Sequence, residues 1–106
     1  MNESKFGLND VELNQIVKIF TSFEKIEEVI LFGSRALGNY KIYSDIDLVI
    51  KGKEFNFSQQ LLLEQKLDDL MLPYKMDVLL FQTIQNQDLI DHISRVGKLI
   101  YKLDQK

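Results

Sequence analysis

Two short stretches hold most of the reactive side chains of this chain, Gly33-Ser34-Arg35-Ala36-Leu37-Gly38 and Ser44-Asp45-Ile46-Asp47-Leu48-Val49-Ile50, and Asp77 lies in a third, apolar run. A glycine at the end of an apolar run lets an anion approach the backbone, and the amides of a helix start together with a serine hydroxyl can donate to phosphate oxygens. Arg35 would add a charge-assisted contact. Taken alone, the hexamer reads more simply as a turn glycine, an N-cap serine and a surface cation. Asp45 and Asp47 are two residues apart, so on a strand both carboxylates face one side while Ile46, Leu48 and Ile50 face the other. Like charges that close repel, and a hard divalent cation such as Mg²⁺, which takes oxygen ligands and keeps waters, relieves the repulsion. Asp77, between Met76 and Val78, occupies a position where strand propensity disfavours an acid. A lone aspartate of that kind is more often an edge residue than a ligand. Three carboxylates on two strands beside a phosphate-type turn point to metal-assisted phosphate chemistry.

Those side chains need elements to hold them. Asn9 with Glu12 resembles a capping box, and Leu13, Ile16, Val17 and Phe20 follow at helical spacing, which predicts a first helix over about 10–22. Val29 to Phe32 reads as a buried strand ending at Gly33, and 34–38 has the length of one or two helical turns. Asp45 to Lys51 reads as a second strand. Ser58 can cap a third helix that turns Leu63, Leu67, Leu70 and Met71 to the core and stops by Pro73. Met76 to Phe81 reads as a third strand, about 86–96 as a fourth helix ended by a left-handed Gly97, and 98–101 as a short last strand. The alternation predicts an α/β layer protein with one sheet and helices packed on it. Strand order and direction do not follow from the pattern.

The 106 residues suit one domain, residues 1–106, with a single modest core. The absence of cysteine excludes thiolate metal sites, disulfides and cysteine nucleophiles, and fits a reducing, cytoplasmic setting. Thirteen basic against sixteen acidic residues give a net charge of −3, which argues against extended nucleic-acid binding. The apolar runs are too short to span a bilayer, and residues 1–10 lack the apolar stretch of a signal peptide.

Gly33-Ser34, a gap of about ten residues, Asp45-Ile46-Asp47 and a separate strand with Asp77 together resemble the signature of the DNA polymerase β-type nucleotidyltransferase superfamily. The likeness is greatest to its minimal antitoxin members (MNT), encoded beside a HEPN-domain toxin, and it covers nearly the whole chain. It implies a nucleotidyltransferase fold, α/β (α+β), with a single mixed β-sheet flanked by helices. It further implies that Gly33 and Ser34, with Arg35 and Ser44, hold ATP as substrate. Asp45, Asp47 and Asp77 would be the catalytic and metal-binding residues, with two Mg²⁺ ions expected, and Asp77 would assist deprotonation of the acceptor hydroxyl. The expected partner is a helical HEPN-type toxin with an acceptor tyrosine, in a homo- or hetero-oligomer. Leu37 departs from the pattern, since minimal members often carry a second arginine there.

Other residues read more plainly. His92 is expected as a partly exposed helix residue, Tyr40 and Tyr43 as loop aromatics near the aspartates, and Met71, Phe20, Phe23 and Phe32 as core. Two further functions compete with adenylylation of a partner. One is a catalytically weak module that neutralises a toxin by contact. The other is transfer to a small molecule of the aminoglycoside type or to RNA ends, which a chain without a further acceptor domain disfavours.

Overall fold

The structure is a computed structural model and describes residues 5–104; the expectation for residues 1–10 therefore lies partly outside the described residues. Helix α1 (Asp10–Phe20) starts at the expected capping box, in which the Asn9 side chain accepts from the Glu12 amide at 2.8 Å and the Glu12 carboxylate accepts from the Asn9 amide at 3.1 Å. It buries Ile16 and Phe20. Strand β1 (Glu28–Phe32) ends at Gly33, and α2 (Ser34–Leu37) is a single turn closed by Gly38 in the left-handed region. Strand β2 (Ile46–Lys51) leads to α3 (Phe57–Asp68), β3 (Met76–Leu80), a 3-10 turn (Phe81–Thr83), α4 (Gln87–Val96) and β4 (Lys98–Lys102).

The four strands form one mixed sheet in the order β3-β2-β1-β4, with β2 and β3 parallel and the other neighbours antiparallel. Side-chain alternation divides the apolar residues between its faces. Val29, Leu31, Ile46, Leu48, Ile50, Val78 and Leu80 pack with residues of α1 and α3 in the main core. Phe32 and Val49 pack on the opposite face with Ile93 of α4. Ile46, Leu48 and Ile50 thus point away from Asp47, as the strand period requires. Among the described residues, no helix is long and apolar enough to cross a membrane.

Three local expectations need correction. Helix α3 starts at Asn56 rather than Ser58, because Asn56 and Gln59 form a reciprocal capping box that satisfies two orphan amides at 3.0 Å each. Met71 is not core: the chain leaves α3 through a left-handed turn at Met71 (φ 57°), which takes the side chain off the helical stripe and leaves it 85% exposed. Gly97 is extended (φ −61°, ψ 146°) and not a left-handed cap. Its lack of a side chain serves close packing instead, since a Cβ there would overlap the Ile93 carbonyl oxygen and stand 2.6 Å from Ile30 Cγ2.

Candidate active site

The sheet register brings the sequence-predicted residues to one end of the sheet. Asp47 pairs with Phe32, the last residue of β1, and on its other side with Asp77 of β3. Asp47 and Asp77 are therefore side by side on neighbouring parallel strands, and the strand period puts them on the face that α4 covers. Gly33 follows Phe32 directly. Its backbone (φ 77°, ψ −155°) belongs to a region open essentially to glycine alone. A Cβ on Gly33 would overlap Asp47 Oδ2 and lie 3.2 Å from its Cγ, so the missing side chain lets the carboxylate press against the turn.

Asp45 precedes β2 and is exposed; the parallel ladder begins one residue later, where the Ile46 amide donates to the Lys75 carbonyl at 2.8 Å. Its charge nevertheless reaches Asp47. Burial, then the charges of Asp77 and Asp45, push the Asp47 carboxyl above the usual carboxylate range, while Arg35 and His92 pull it back. Asp77 has a loose contact of 3.8 Å with Lys75, and both side chains are well exposed. Among the described residues, no group of three or more His, Cys, Asp or Glu side chains is placed to hold a metal ion by itself. Asp47 and Asp77 offer carboxylate oxygens in register, and Asp45 adds a third carboxylate from outside the ladder. A hard divalent cation that completes its shell with water and phosphate oxygens fits such a set.

A family model for the polymerase beta nucleotidyltransferases matches residues 14–106, which include the turn and all three aspartates. The chain belongs to this family. Comparison with curated protein sequences returned no match. Among solved structures, the chain of this nucleotidyltransferase is similar to one described as a toxin–antitoxin with AMP-PNP, at a TM-score of 0.70 and 23% identity, covering 88% of this chain and 75% of that one. It is also similar to one described as a tri-AMPylated Shewanella oneidensis HEPN toxin in complex with MNT antitoxin, at a TM-score of 0.65 and 20% identity, covering 88% and 71%. A third, described as a MntA–HepT toxin–antitoxin, gives a TM-score of 0.64 at 20% identity, covering 88% and 72%. At these identities the likeness establishes the fold.

Two expected contacts of the nucleotidyltransferase turn out differently. Arg35 is 2% exposed and turned away from the turn that carries it. Its Nε and Nη2 donate to the Ser44 carbonyl at 3.1 and 2.8 Å, and its Nη1 donates to the Phe6 carbonyl at 2.8 Å. The rings of Tyr40 and Tyr74 lie 5.4 and 4.7 Å from the guanidinium carbon. Buried itself, and with Nε, Nη1 and Nη2 each donating to a part-buried backbone carbonyl, Arg35 is not placed to meet a phosphate. The Ser44 hydroxyl, expected to meet ATP, accepts from the Lys41 amide at 2.7 Å and so closes the loop before Asp45. Ser34 makes no cap bond, and Gly33 takes the N-cap position of α2.

Sequence reasoning missed His92. Its Nε2 accepts from the Gly33 amide at 3.3 Å, and its ring meets Phe32 edge-on at 6.3 Å. The available signal was its place beside Leu89 and Ile93 on the inward stripe of α4, but only the strand order tells which residues that stripe faces. A cavity of about 430 Å³ between α1 and α3 is lined by Gln15, Ile19, Lys66 and Leu70 among others and lies apart from the aspartates.

Proposed function

We propose that this nucleotidyltransferase moves AMP from ATP to a hydroxyl of a protein partner, a tyrosine of a HEPN-type toxin, and silences that partner by the modification. The observation that carries the reading is the register pairing of Asp47 with Asp77 against a side-chain-free Gly33, which puts two carboxylates beside a phosphate-accepting turn. The structures with AMP-PNP and with an AMPylated HEPN toxin, similar in fold, support the choice of nucleotide and acceptor.

In this reading Asp45, Asp47 and Asp77 would hold Mg²⁺, two ions with the triphosphate, which when bound would neutralise the phosphate charge and the charge that develops during transfer. The Ser34 amide and hydroxyl receive the phosphate oxygens at the start of α2. Asp77, on the strand beside Asp47, takes the proton of the tyrosine hydroxyl. The phenolic oxygen forms a bond to the α-phosphorus, the bond from that phosphorus to the bridging oxygen breaks, and pyrophosphate leaves.

Co-expression with a HEPN-type toxin, followed by intact-mass measurement, tests the proposal. We expect the toxin to gain the mass of one or more AMP groups with the wild type and none with Asp45→Asn. Neutralisation by Asp45→Asn without any mass shift in either case would replace the enzyme reading with neutralisation by contact.

A further inference from the structure

We infer that His92 is a positioning residue of the nucleotide site: through Nε2 it fixes the Gly33 peptide, and with it the direction in which Ser34 faces the triphosphate. The inference rests on the nucleotide-transfer reading above and adds a residue to it.

A turn built on glycine is loose by nature. Without a Cβ, the backbone at Gly33 has more accessible conformations than any other residue would give it, and holding it at φ 77°, ψ −155° costs conformational entropy. A phosphate-accepting turn needs one orientation, set before the ligand arrives, because ordering on binding subtracts from affinity. Two groups bear on Gly33. The Asp47 carboxylate packs against its α-carbon, and the His92 imidazole takes its amide proton.

The imidazole is well placed to act as a fixed acceptor. It comes from α4, whose start is capped by the Asn86 side chain accepting from the Asp88 and Leu89 amides at 2.8 and 3.3 Å. Neighbouring Ile93 is buried against Phe32 and Val49, and Phe32 meets the His92 ring edge-on. In this contact Nε2 is the acceptor of the Gly33 N–H, so the bond requires that nitrogen to be without a proton. The bond spans 59 residues of sequence and ties the helix on one face of the sheet to the turn at its end.

This contact also divides the work among the backbone amides. The Gly33 amide is engaged by His92, and the first bond within α2 runs from the Leu37 amide to the Gly33 carbonyl at 3.0 Å. The amide of Ser34 lies between them, among the first-turn amides that have no partner within the helix. His92 therefore removes one donor from the phosphate site and leaves the next, the Ser34 amide, as the first donor of the turn.

Binding of α,β-methylene-ATP with Mg²⁺, a nucleotide that cannot transfer AMP, reads the effect apart from catalysis. His92→Phe keeps the aromatic contact with Phe32 and loses the acceptor; His92→Gln restores an acceptor oxygen near the same place. We expect His92→Phe to bind about fivefold or more weakly, the effect of one lost hydrogen bond. His92→Gln should stay within about twofold of the wild type, since it keeps the bond. Equal affinity for wild type and His92→Phe, failure of glutamine to restore binding, or tighter binding by His92→Phe would each overturn the inference; the last would mean that the ring competes with phosphate for the amide. His92 is the chain's single histidine, so its ¹⁵N resonances are read without assignment. An Nε2 that stays unprotonated and hydrogen-bonded with nucleotide present supports the inference, and loss of that signature refutes it, even if His92→Phe does not fold. A wild type that binds no nucleotide would instead overturn the function reading, and this inference with it.

Discussion

Asp47 carries the sharpest consequence of the site's electrostatics. Its carboxyl is raised above the ordinary range by burial and by Asp77 and Asp45, so ionising it works against the folded state when no cation is present. The penalty is fully present above the raised folded-state value. It fades as pH falls through that value and is gone below the unfolded-state value of about 3.9, where the group is protonated folded or not. In EDTA at neutral pH, Asp47→Asn should therefore melt at least as high as wild type. That advantage should shrink toward pH 4, and the variant should lose the stabilisation that Mg²⁺ with ATP gives the wild type. Strong destabilisation of Asp47→Asn in EDTA would make the carboxylate structural. The adjoining turn separates folding from binding in a different way. Ser34 makes no cap bond, so Ser34→Ala should leave the melting temperature unchanged while raising the KM for ATP. Gly33→Ala should do the reverse of a clean binding variant. A side chain at φ 77° that also meets Asp47 costs about 2 kcal/mol or more, or about 10 °C in a domain of this size.

Between the elements, Arg35 acts as a buried junction. It ties the turn before α1, through the Phe6 carbonyl, to the residue before Asp45, through the Ser44 carbonyl, and it lies between the rings of Tyr40 and Tyr74. Arg35→Met leaves those carbonyls without donors, and we expect a loss of about 2 kcal/mol or more in urea unfolding. Arg35→Lys should rescue little, since one ammonium cannot replace a planar fork. An arginine that served phosphate alone would instead give a variant that unfolds normally and binds ATP weakly. The contrast shows what the sequence could disclose. Helix periodicity, the Asn9 capping box and the aspartates of β2 and β3 were legible because they follow from local spacing. The partners of Arg35 and His92 were not, because both depend on the β3-β2-β1-β4 order and on loops whose paths local patterns do not determine. Gly97 misled for a related reason: a glycine after a helix suggests a left-handed cap, yet here the approach of Ile30 from a distant strand sets the requirement.

Considered as a whole, the molecule presents its reactive groups at the end of the sheet and encloses little around them. Asp45 is exposed, Tyr43 beside the loop is 73% exposed, and Leu37 at the end of α2 is exposed as well. None of the three aspartates lines the cavity between α1 and α3. Transfer nevertheless needs the attacking oxygen held about 3 Å from phosphorus, and the gain from such positioning is several orders of magnitude in rate. If the acceptor is a protein, as proposed, that protein supplies the wall and the orientation that the described residues do not build around the aspartates. Folded toxin should therefore accept AMP at least about a hundredfold faster than a short peptide carrying the same tyrosine at equal concentration, measured with α-labelled ATP and Mg²⁺. The difference should fall mainly in kcat/KM, because the peptide keeps the hydroxyl and loses only the docking that aligns it. Equal labelling of peptide and folded toxin would show that this chain orients the tyrosine by itself, and a closed acceptor pocket would then have to exist where the sheet end now lies open.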